Sequence, residues 1–93
     1  MNAKDLFGSL KGIVVDTRTK QPIVGARISL WPTLLRDTTD SSGGFSFHEV
    51  LVGYHDIEVV ATRYWKRIFP SVVIKSGINE DCVLEIEYCE NLQ

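Results

Sequence analysis

At 93 residues and 44% hydrophobic side chains, the chain is the size of one domain around one core. Charged residues make up 24% and the formal net charge is −2, which leaves no cationic footprint for nucleic acid. No apolar run approaches the ~20 residues of a membrane-spanning helix. The start, Met1 to Gly8, lacks the apolar stretch of a secretory leader. The expectation is therefore a cytoplasmic protein if the chain is complete, and an extracellular or periplasmic one if it is cut from a longer exported chain.

Period-two alternation of β-branched and aromatic residues runs through the chain, which predicts strands. Only residues 2–10 could hold a helical turn. Leu10–Asp16 is the first predicted strand, and the polar run Thr17 to Pro22 is a turn. Ile23–Trp31 follows, with Ala26, Ile28 and Leu30 on one face and Arg27, Ser29 and Trp31 on the other; Pro32, with no amide to donate, ends it. Arg36–Thr39 is a short strand. Asp40-Ser41-Ser42-Gly43-Gly44 is a tight turn in which Asp40 is placed to accept hydrogen bonds from its own backbone amides. Phe45 and Phe47 then face one way, toward a core between two sheets. After a bend at Val52-Gly53, the strand His55–Ala61 alternates Ile57, Val59 and Ala61 against Asp56, Glu58 and Val60. Arg63 to Lys66 is a connection. Arg67–Lys75 is a strand that Pro70 marks as an edge or a bulge. Residues 76–80 form a turn, and Cys82–Tyr88 closes the set.

Six or seven short strands with turn signals every ~8–12 residues predict a sandwich or small barrel. Cys82 and Cys89 lie seven apart; on one extended strand their Cα atoms would be roughly 23 Å apart. That is too far for a disulfide. Unpaired thiols fit a reducing compartment. Cys82 reads as a small core residue, and Cys89 as one near an exposed end.

At Gly12-Ile13-Val14-Val15-Asp16 and Gln21-Pro22-Ile23-Val24-Gly25-Ala26-Arg27-Ile28-Ser29-Leu30, the chain resembles the opening of the carboxypeptidase regulatory-like domain. Thr39-Asp40-Ser41-Ser42-Gly43-Gly44-Phe45-Ser46-Phe47 resembles its second block, and Val50-Leu51-Val52-Gly53-Tyr54-His55-Asp56-Ile57-Glu58-Val59 its third. Two departures are Arg63, where the family usually has glycine, and a turn one residue longer at Gly43-Gly44. The resemblance implies an all-β, seven-stranded Greek-key β-sandwich of the transthyretin-like (prealbumin-like) type over residues 10–89. Residues 1–9 would be an N-terminal arm and 90–93 a tail. Gly25 and Ala26 are expected where strand and neighbouring sheet approach closely.

The resemblance further implies a mostly non-catalytic module of the kind appended to carboxypeptidases, outer-membrane transport proteins and surface proteins. The same fold hosts 5-hydroxyisourate hydrolase, but that family carries several histidines, an arginine and a Tyr-Arg-Gly-Ser terminus. This chain ends Tyr88-Cys89-Glu90-Asn91-Leu92-Gln93.

The residues themselves point the same way. His48 and His55 are the only imidazoles; seven apart, they would face opposite ways on an unbroken strand, and Gly53 breaks it. His55 shares parity with Ile57 and Val59 and should cap the core face. No serine or cysteine carries a nucleophile motif. Neither a metal nor a cofactor is expected. The aromatics remain. Trp31 lies on the polar face of its strand, either exposed or covered. Tyr64 and Trp65 sit among Arg63, Lys66 and Arg67. Trp65 is expected to fold over the open end of the sandwich; the alternative is an exposed ring that stacks on sugar or anchors a protein. Trp31, Tyr64, Trp65 and Arg67 are thus the candidate ligand or partner surface. The expected partner is a protein, with carbohydrate as the alternative and an edge-strand homodimer through Arg67–Lys75 as a further route.

Overall fold

A computed structural model describes residues 3–90. Its seven strands are β1 (Phe7–Asp16), β2 (Arg27–Trp31), β3 (Leu35–Thr38), β4 (Gly44–Leu51), β5 (Gly53–Val60), β6 (Arg67–Ile74) and β7 (Gly77–Ile86). They form a three-stranded sheet, β4-β1-β7, and a four-stranded sheet, β3-β2-β5-β6. All neighbours are antiparallel except β1 and β7, which run parallel. The chain changes sheet after β1, β3, β4 and β6, as the Greek-key sandwich requires.

Alternation explains the core. Leu10 and Val14 of β1, Phe45, Phe47 and Val50 of β4, and Leu84 and Ile86 of β7 point inward. They meet Ile28 and Leu30 of β2, Ile57 and Val59 of β5, and Ile74 of β6. Burying such side chains contributes about 1.5–3 kcal/mol each before ordering costs. The rings of Phe45 and Phe47 lie 6.0 Å apart. Gly12 also faces inward. A Cβ there would land on the carbonyl oxygen of Cys82 and 2.8 Å from Cζ of Phe45, so glycine is what lets β1, β7 and that ring close up.

Several boundaries differ from expectation. The first strand starts at Phe7, after a 3-10 turn at Ala3–Leu6, so most of the expected N-terminal arm belongs to the fold. Gly8 and Ser9 are weak strand formers, but β1 is the central strand of its sheet, and β4 and β7 supply ladder partners on both sides. Residues 1–2 of the expected arm, residue 2 of the expected helical turn and residues 91–93 of the expected tail lie outside the described residues. Strand β7 begins at Gly77 within the expected turn, because Gly8 to Leu10 pair with Gly77 to Asn79. A bulge at Glu80 and Asp81 hides its alternation; Asp81 has φ 62°.

At the other end of the prediction, β2 is shorter than expected. Pro22 makes only an isolated bridge to Val15, and residues before Arg27 turn. The expectation for Gly25 needs correction. Nothing lies within 4 Å of a Cβ built there, so close approach is not its role; a φ of 79° is. Strand β6 is an edge, as Pro70 implied, with a register shift opposite His55 to Ile57 and Ser71 at φ 56°. Cys89 is buried rather than exposed, and both cysteines are free.

Candidate interaction surfaces

One end of the sandwich is closed by a polar brace. Asp16 ends β1, and its Oδ1 accepts the amides of Arg18 (2.8 Å) and Thr19 (3.0 Å). Its Oδ2 accepts the Tyr64 hydroxyl at 2.8 Å. The Thr19 amide, then the Tyr64 hydroxyl and the Arg18 amide, hold the Asp16 carboxyl below the usual carboxylate range. Burial, and next the bond to Asp16, push the Tyr64 phenol up to about 12. Tyr64 packs against the core and meets the Tyr88 ring edge-on at 5.5 Å. Backbone bonds from Trp65 to Glu87 and from Cys89 to Arg63 tie the connection after β5 to the chain after β7. Arg63 holds a left-handed backbone, φ 70°, which accounts for the family's usual glycine there.

The four candidate residues separate on this frame. Tyr64, expected at a ligand surface, is half-buried and braces the end. Arg67 is likewise engaged: its guanidinium donates to the Glu85 carbonyl at 2.8 Å and stacks over Phe69 at 4.4 Å, covering part of the β7 edge. Trp65 does not plug the core; Tyr64 does, and Trp65 is 56% exposed over a cleft of about 370 Å³ with Asp16, Arg18, Glu87, Tyr88 and Glu90. Trp31 is 42% exposed on the outward face of the four-stranded sheet. It pairs with Asp56 near the start of β5, whereas Trp65 follows the end of β5. The two indoles stand at opposite ends and form no common platform.

Around Trp31 the outward face is polar. Arg27, Ser29, Arg36, Asp37 and Glu58 line an open depression of about 580 Å³. Lys66 reaches Glu58 at 3.5 Å. Exposed Ile68 and Val73 lie on the edge strand, beside Glu58 and Tyr54.

The three-stranded sheet is different. Ile13 of β1 and Val83 of β7 are register partners, both outward, and 38% and 53% exposed. Phe7, Leu51 and Ile78 are exposed toward the other end of the sheet, separated from that pair by Ser9 and Lys11 of β1 and by Glu80 and Asp81 of β7. Sequence reading missed this face. Ile13-Val14-Val15 is an unbroken apolar run, so alternation could not tell which residue faces out. It also missed Asp16, whose acceptor role needed the turn and Tyr64 in place. Nor did it give the role of Asp37, which accepts the Ser46 amide at 2.9 Å and covers the β4 edge.

His55 is 6% exposed on the core face as expected, and its Nδ1 has no hydrogen-bond partner among the described residues. His48 is exposed. Among the described residues no three His, Cys, Asp or Glu side chains converge as metal ligands, and no helix is long and apolar enough to cross a membrane.

The model of the carboxypeptidase regulatory-like domain matches residues 9–86. No curated protein sequence matches the chain significantly. Among solved structures, the chain is similar to part of a type II cohesin–X-dockerin complex from Acetivibrio cellulolyticus (TM-score 0.66, 22% identity, 83% of this chain and 52% of that one). It is also similar to a candidate carbohydrate binding protein from Bacteroides uniformis (TM-score 0.71, 17% identity, 85% and 40%). A third likeness is to the TIE protein of Bacillus anthracis (TM-score 0.72, 17% identity, 88% and 16%). The chain spans about half or less of each, and at these identities the likeness is one of fold.

Proposed function

The chain belongs to the carboxypeptidase regulatory-like domain family, and from that premise we propose that it is a non-catalytic module that holds a protein partner against the outward face of its three-stranded sheet. The observation that carries this reading is the exposed pair of Ile13 and Val83, side by side on the outward face. A strand with one solvated face normally alternates apolar-in and polar-out, and apolar side chains paired on the outward face mark an interaction site. Aliphatic side chains suit a protein partner; they offer no ring for a sugar to stack on. The non-catalytic part is supported by the engagement of the polar side chains. Asp16, Asp37, Asp40 and Asp56 accept backbone amides, and Arg67 donates to a backbone carbonyl.

Selection from a displayed random peptide library tests this. The wild-type chain should enrich binding peptides, and Ile13→Ser/Val83→Ser should lose them while keeping its thermal transition. No enrichment, or equal binding by the double variant, would refute the reading. Trp31, exposed among Ser29, Arg36 and Glu58, favours a second reading as a carbohydrate platform, toward which the likeness to the Bacteroides uniformis protein also leans. A tryptophan fluorescence response to a soluble glycan that Trp31→Ala abolishes would support it.

A further inference from the structure

We infer that the outward face of β1 and β7 takes a foreign segment that presents an apolar and a basic side chain on one side, spaced two residues apart in an extended chain. This inference rests on the protein-binding reading and names the chemistry of the partner. Ile13 and Val83 sit side by side, and on the β4 side Ile13 pairs with Gly44, where the Asp40 carboxylate takes the place of a side chain, 3.2 Å from where a Cβ would stand. One row away, about 7 Å along the strand, Lys11 faces the bulge that carries Glu80 and Asp81. Asp40 stands at the rim of the same depression, which has a volume of about 490 Å³.

Three carboxylates against one ammonium leave the seat acidic. Neither Glu80 nor Asp81 has an ion-pair partner among the described residues. An apolar side chain over Ile13 and Val83 would place the residue two further on beside those carboxylates, and a lysine or arginine there completes the charge. A second copy of this chain fits less well. A twofold contact brings the same patch to both sides, doubling the excess of carboxylates. The bulges in β6 and β7, with Ser71 and Asp81 in left-handed backbone, also interrupt two of the four sheet edges through which copies could pair.

The probe is a fluorescently labelled peptide repeating leucine–serine–lysine–serine, read by anisotropy on the whole chain. Its controls replace lysine by glutamate or leucine by serine. The lysine peptide should bind, both controls should bind at least tenfold more weakly, and added salt should weaken the complex. Glu80→Gln/Asp81→Asn should weaken binding about five- to tenfold with an unchanged thermal transition. Asparagine accepts the left-handed backbone that Asp81 holds. Equal binding of the lysine and glutamate peptides, or no effect of the double variant, would overturn the inference while leaving the protein-binding reading intact. No binding of the lysine peptide would overturn it too, and peptides selected from the library would then show whether the face binds protein at all. Light scattering that finds a dimer lost in Ile13→Ser/Val83→Ser would replace the foreign segment with a second copy.

Discussion

Outward side chains on β2, β3 and β5 are mostly charged or hydroxylated, and several are already satisfied: Glu58 by Lys66, and Asp56 by the Ser71 amide. On β1 and β7 the outward set includes Ile13, Val83, Phe7 and Ile78, and Glu80 and Asp81 there have no ion-pair partner among the described residues. Both sheets rest on the same core, so stability cannot explain the difference. Exposed Ile and Val beside each other add little to folding while they remain wet, and they favour association. The comparison teaches where to look for a partner in a domain whose polar groups are mostly engaged in holding it together.

Three measurements would sharpen or break the comparison. The largest effect belongs to the interior that both sheets share. Phe47→Ala should cost roughly 3–5 kcal/mol, because the ring is 3% exposed and packs against Phe45. In so small a domain the sheets should then unfold in one transition at a much lower temperature. A melting temperature within a few degrees of wild type would mean that the sheets do not depend on a common core.

Next comes the brace that joins the sheets at one end. The Asp16 carboxyl titrates below its unfolded value of 3.8, so its contribution is present above that pH and is lost as pH falls through the folded pKa. Tyr64 titrates at about 12 rather than 10.0, so its contribution is full below about 10 and is lost as pH rises toward 12. Tyr64→Phe should lower the melting temperature at neutral pH. It should also remove the latest phenol step from an ultraviolet titration. A variant that keeps that step near 12 would assign it to another tyrosine.

The smallest effect lies on the polar face. Lys66→Ala removes an ion pair whose lysine is largely exposed, and should change stability by less than ~1 kcal/mol. A larger loss would mean that this face also depends on its charges to hold the sheet, which would weaken the contrast between the two.

Much of the fold was legible in the chain. The inward set at Phe45, Phe47, Ile57 and Val59 followed from parity, and Pro70 marked an edge. Asp40 was placed in its turn, where Oδ1 accepts the amides of Ser42 and Gly44 at 2.9 and 2.8 Å. The candidate surface was less legible. Arg67 and Tyr64 looked available because flanking residues do not reveal a carbonyl on β7 or a carboxylate at the end of β1. Those partners stand 18 and 48 residues away.

Local features were readable from the residues alone: which positions alternate, where turns interrupt them, and which family blocks they compose. Parity and turn chemistry act over a few residues, so they can be read from neighbours. The outward side of β1, the burial of Cys89, the exposure of Trp65 and the separation of the two indoles came from the three-dimensional packing. Each depends on which distant strand lies alongside, and β7, the parallel partner of β1, lies across the whole intervening chain from it.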